Sequence, residues 1–152
     1  MEIESSADKE QAFVLNQISA RLKMMKVIHA ALLLGVIGFG SFVLFYSRKE
    51  FSFDISFRNP LIIVSALMST VTIIASLLMK MPRVTLPGTP PDIHVVLSRY
   101  QVFFLMRAST VEGGALFSGV ITLVTHNVVP AAFFLASAVT LALSRPSQRE
   151  LM

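Results

Sequence analysis

The chain has no cysteine and no tryptophan, and only 14% of its 152 residues are charged. Without thiols there is no disulfide scaffold, thiolate catalysis, cysteine-ligated zinc or iron–sulfur cluster. The charged fraction is well under the ~25% usual in soluble domains, which argues against an ordinary water-soluble fold and against disorder. Catalytic inventory is also sparse. There is no phosphate-binding glycine loop, no Walker-type motif and no nucleophile–base pairing, so no catalytic residue, cofactor or enzyme activity is expected. The three histidines, His29, His94 and His126, lie far apart along the chain with no HxxxH or ExxH spacing, so no metal site is expected either.

Aliphatic side chains take the place of the missing charge. Hydrophobic residues make up 54% of the chain, and the mean hydropathy is +0.70. They fall into four runs, 27–46, 61–79, 100–124 and 128–143. A bilayer core of about 30 Å takes roughly 20 helical residues, so three runs are long enough and the last is short. Pro60 suits the first turn of the second run, and Pro82 lies beyond its end. The expected fold is all-α, an integral membrane four-helix bundle. Residues 1–26 form an amphipathic extension, 27–144 the transmembrane domain and 145–152 a tail. The first 25 residues are polar, with no apolar core ahead of a small-residue cleavage site, so the first span is read as a retained anchor.

Topology follows from lysine and arginine. With the N-terminus cytoplasmic, the inside loops hold Lys9, Arg21, Lys23, Lys26, Lys80, Arg83, Arg99, Arg145 and Arg149. The outside holds Arg48, Lys49 and Arg58. Both termini are therefore expected inside, in a bacterial inner membrane. This bias also explains the pI near 9.9, with attraction to anionic membrane lipids. No basic stripe is interleaved with stacking aromatics, so nucleic acid is not an expected partner.

The polar segments have structure of their own. Ser5-Ser6 are read as a helix cap, followed by Asp8 and Glu10 in the first turn. Leu15, Ile18, Leu22, Met25 and His29 then recur at 3–4–3–4 spacing and share one helical face. That face is expected to pack on the start of the third helix, lie on lipid, or dock a partner. A proline-rich connector over 82–91 precedes Asp92, read as the cap of a similar extension of the third helix. Residues 51–57 alternate large and small side chains, a period-two pattern for a short extended segment resting on the membrane interface, which as a lone strand pairs with nothing unless a partner supplies an edge.

The third run carries the unusual polar groups. Arg107 and Glu112 lie inside it, and Gly113, Gly114 and Gly119 form a helix-packing surface beside them. Glu112 lies roughly 12–18 Å from the 100 end of the run, near mid-bilayer. A carboxylate there costs on the order of 3 kcal/mol, which makes it a functional-site hypothesis by default. Three roles are open to it: a proton or cation site, a structural group bound to Arg107 or to neighbouring hydroxyls, and a contact for a partner's basic group. His29, near the inner boundary, is a further intramembrane polar candidate that approaches Arg107 or Tyr100 if the helices are neighbours.

Two resemblances bear on this stretch. The carboxylate, the small residues and the apolar run over 112–124 resemble the ion-carrying helix of rotary-ATPase proteolipids. Those proteins are glycine-rich throughout their partner helices, whereas the first span here has only Gly35, Gly38 and Gly40. The Ala-Leu-Leu-Leu-Gly of 31–35, the Arg-Ala-x-x-x-Glu-Gly-x-Ala-Leu-Phe of 107–117 and the Pro-Ser at 146–147 together resemble an uncharacterised group of small bacterial four-helix membrane proteins. That likeness implies a fold and no activity. The expected function is a non-catalytic accessory or assembly subunit, bound to other membrane subunits or to itself. The alternative is a small proton- or cation-conducting protein that uses Glu112.

Overall fold

A computed structural model describes residues 2–47, 51–53, 59–79 and 93–146. Four helices account for nearly all of them: α1 (Glu2–Ser47), α2 (Pro60–Leu78), α3 (Ile93–Thr125) and α4 (Val128–Leu143). No strand occurs among the described residues. The helix α1 runs unbroken for 46 residues and begins ahead of Ser5-Ser6, so that pair lies within the helix and does not cap it. The connector over 82–91, the cap expected at Asp92 and the 147–152 tail lie outside the described residues.

Local chemistry sets the ends. The Asn59 side chain accepts a hydrogen bond from the Leu61 N–H at 3.0 Å, and Pro60 occupies the first turn of α2, where its missing donor is no loss. At the far end of α3, His126 adopts φ 48°, the left-handed conformation that stops a helix, and its N–H reaches the Thr122 carbonyl at 2.8 Å. Asn127 then caps α4 by accepting from the Val129 N–H at 2.8 Å.

The segment read as a strand in need of a partner finds its edge within the chain. Ser52 pairs with Asn127 in an isolated parallel bridge. The Ser52 N–H donates to the His126 carbonyl at 2.7 Å, and the Val128 N–H donates to the Ser52 carbonyl at 3.0 Å. The expectation of an external partner at this segment is corrected: the turn between α3 and α4 leaves backbone groups facing outward, and Ser52 takes them up. Residues 54–58 lie outside the described set.

The helices α3 and α4 form an antiparallel central pair, with α1 on one side and α2 on the other. Between α1 and α3, which run parallel, Arg21 Nη1 donates to Gln101 Oε1 at 3.0 Å. Leu22 and Met25 bury against Tyr100 and Phe104, with Ile18 packed on the same cluster. The start of α3 therefore covers the 3–4–3–4 stripe from Ile18 onward. A second cluster, Val36, Ala108, Val111, Ala115, Phe134 and Leu141, fills the centre between α1, α3 and α4.

The polarity of α2 is inverted relative to a helix of a soluble protein. Ser65, Ser69 and Ser76 are fully buried, while Leu67, Val71 and Leu77 are each 60% exposed. Three helical segments, Asn16–Ser47, Pro60–Leu78 and Val95–Thr125, are long and apolar enough to cross a membrane, and α4 is apolar but shorter.

Candidate functional site

The polar side chains of the interior sort into three places along α3. The first is a hydroxyl seam with α2 that the sequence reading missed. Ser65, Ser69, Thr72 and Ser76 follow 4–3–4 spacing and so share one face of α2. Ser65 Oγ donates to Ser118 Oγ at 3.1 Å. Ser69 Oγ lies within a short hydrogen bond of the same Ser118 oxygen and 3.4 Å from the Gly114 carbonyl. One helical turn on, Thr72 rests on Gly114, which has no side chain to hold it off. Arg107 closes the row, its Nε 3.5 Å from Ser76 Oγ. In a surrounding without water such hydroxyls hold helices together, because greasy side chains gain nothing by leaving lipid for protein. The 4–3–4 spacing was the sequence signal for this seam.

The second place is His29. Its ring is 6% exposed and tilts against Phe104, with centroids 5.9 Å apart. Neither ring nitrogen has a hydrogen-bond partner among the described residues. Arg107, one of its expected neighbours, turns to α2 instead. An imidazole always carries at least one N–H, and leaving it unpaired in the interior costs about 1–3 kcal/mol. His29→Leu is accordingly expected to match or exceed the parent in stability, by up to about 1 kcal/mol. Equilibrium unfolding in mixed micelles, followed by circular dichroism, checks this. A loss of more than about 1 kcal/mol would mean that the ring has a partner of its own.

Glu112 occupies the third place, apart from the other two. Eleven residues separate it from Gln101 and seven from Gly119, close to whole numbers of turns, so all three share the flank of α3 that faces α1. Gln101 meets Arg21 there, and Gly119 lies under Phe39. The Glu112 side chain is half-buried and, among the described residues, meets no hydrogen-bond or ionic partner. Among the described residues, the structure does not bring it to Arg107 or to the seam hydroxyls. Five residues put Arg107 and Glu112 about 140° apart on the helix, and Arg107 is taken up by α2.

The three glycines expected to form one packing surface divide as well. A Cβ on Gly114 would collide with Thr72 of α2. On Gly119 it would come within 2.5 Å of Phe39 and 3.2 Å of Phe134. Gly113, beside Glu112, has nothing within 4 Å of that position, so it packs against no other helix of the chain. Gly35 is equally open, and on α1 it precedes Phe39 by one turn on the same flank. Side chains with metal-binding chemistry do not gather in groups of three among the described residues. Neither a protein family, nor a characterised protein, nor a solved structure matches the chain.

Proposed function

We propose that the chain is a non-catalytic accessory or assembly subunit of a larger membrane complex. It spans the bacterial inner membrane with both termini in the cytoplasm, and residues 1–26 and the start of α3 project inward. The inverted polarity of α2 and the inside-positive distribution of Lys and Arg support the membrane placement.

One observation carries the subunit reading. A half-buried carboxylate without a partner among the described residues stands near the middle of α3, next to the open Gly113, and Gly35 on α1 is open as well. Isolated in hydrocarbon such a group is unfavourable by on the order of 3 kcal/mol. Open glycines beside it let another helix backbone come close. A basic or hydroxyl-bearing side chain on a neighbouring transmembrane helix satisfies both features at once.

The test is extraction of the tagged native protein in mild detergent, with native mass and copurifying chains identified together. Stoichiometric different chains are expected with the parent protein. Glu112→Gln keeps one acceptor but loses the charge, and is expected to lower their recovery at least about tenfold, as loss of a charge-assisted hydrogen bond worth about 1.5–3 kcal/mol does. A homogeneous parent protein without partner chains overturns the subunit reading. If reconstituted liposomes then show proton flux that Glu112→Gln abolishes, the conducting reading takes its place.

A further inference from the structure

We propose that His29 and Met25 of α1 together bind one soft monovalent cation, Cu(I), through an imidazole nitrogen and the thioether sulfur. The imidazole is more than nine-tenths buried, and neither of its nitrogens meets a hydrogen-bonding group among the described residues. In the neutral ring one of the two carries a lone pair, and the interior makes no use of it. Met25, one turn earlier, is 1% exposed. Met25-x-x-x-His29 has the i, i+4 spacing of the HxxxH pattern, with a thioether in the first place. That spacing puts both side chains on one helical face, with Cβ atoms about 5–6 Å apart. Helical side chains lean toward the N-terminus of their helix, so the His29 side chain leans over the turn that carries Met25. Both stand against one ring: Phe104 belongs to the cluster around Met25, and its centroid is 5.9 Å from that of the imidazole.

The donors select the ion. Thioether sulfur is soft and uncharged and, with imidazole, suits Cu(I), whereas magnesium and calcium take oxygen. Zinc sites take three or four protein donors, often anionic ones. Glu112 is the only carboxylate whose side chain is described, and it stands about 12 Å beyond Phe104 along α3. Nothing there compensates a second positive charge in the interior. The charge of Arg145 also reaches His29, and it opposes a dication twice as strongly as a monocation. A filled-shell monocation is satisfied by a nitrogen and a sulfur in line.

Silver(I) is the probe, because it has the same charge and donor preference and needs no reductant. The full chain, purified metal-free in mild detergent and chloride-free buffer, is titrated with silver nitrate, and bound metal is counted by native mass spectrometry. Tight binding of one silver ion per chain is expected, undisturbed by an equal concentration of zinc. His29→Leu and Met25→Leu each lower the affinity at least about tenfold, the least that loss of a metal's supporting group costs. Both variants keep the fold, the first because the metal-free imidazole has no partner to lose, the second because leucine conserves the volume of methionine. His29→Met exchanges one soft donor for another and retains the ion, which ties the loss in His29→Leu to the donor. The chain has eight methionines, so Met24→Leu, at the neighbouring position that is 52% exposed, is the control and leaves the affinity unchanged. No tight silver in the parent, an unchanged affinity in His29→Leu or Met25→Leu, loss of the ion in His29→Met, an equal loss in Met24→Leu, or zinc bound as tightly as silver would each overturn the site.

Discussion

Gly114→Val is expected to destabilise the protein by about 3 kcal/mol, while Gly113→Val, one residue earlier, changes stability by less than about 0.5 kcal/mol. Both substitutions add the same atoms to the same helix, and both raise its intrinsic helix propensity slightly. The difference lies in what the new side chain meets. At Gly114 the Thr72 Cβ stands 3.1 Å from the position of a Cβ, and the Thr72 hydroxyl is closer still. Thr72 cannot swing away freely, because its Oγ1 donates to the Ser69 carbonyl at 3.0 Å on its own helix. The only relief is to move α2 outward, which stretches the Ser65, Ser69 and Ser118 hydroxyl contacts together. At Gly113 there is open space. Unfolding curves of the two variants in the same mixed micelles decide the matter, and equal losses would mean that α2 does not sit on α3 at Gly114.

The second large effect is expected at Phe134. This residue of α4 is 7% exposed and meets Phe39 edge-on, with centroids 6.4 Å apart and planes at 62°. Its ring also covers Gly40 of α1 and Gly119 of α3, two places where those helices offer no side chain to meet it. In water, removing a buried phenyl ring costs about 3–5 kcal/mol. On the membrane placement proposed above, the separated helix keeps the ring in hydrocarbon, so the transfer part largely cancels and the lost dispersion contacts remain. Phe134→Ala is therefore expected to cost about 2 kcal/mol. The effect should also be coupled to Gly40, where an added Cβ would meet the Phe134 ring alone. Gly40→Ala by itself crowds the ring, whereas in the Phe134→Ala background the methyl enters vacated space. A double-mutant cycle should give at least about 1 kcal/mol of coupling. Strict additivity would place the ring elsewhere.

The four helices were legible in the sequence, apart from the start of α1, and the site only in part, for a physical reason. Helix ends depend on local chemistry. Pro60, the 125–127 break and the length of each apolar run mark them without reference to other helices, and α4 occupies the run read for it, residues 128–143. Which side chains meet depends on where each helix turns its faces, and in an apolar chain hydrophobic periodicity is nearly silent on that point, since both faces are greasy. The informative pattern was the reverse one, the hydroxyls of Ser65, Ser69, Thr72 and Ser76 at helical spacing. Composition drew the eye to charges and glycines on α3 instead. There, adjacency in sequence concealed separation in space: Arg107 and Gly114 belong to α2, Gly119 to α1 and α4, and Glu112 with Gly113 to an open flank.

The arrangement of the four helices has a consequence in time. The helices α1 and α2 lie on opposite sides of the α3–α4 pair and share no substantial interface. When the first half of the chain has been synthesised, neither helix yet has the surface it will rest on. The second helix made must wait for residues 107, 114 and 118 before its hydroxyls find their final partners, and until then they have only the carbonyls of their own backbone to turn to. Synthesis order and packing order therefore differ, and the third helix is the event that converts two independent rods into a folded protein.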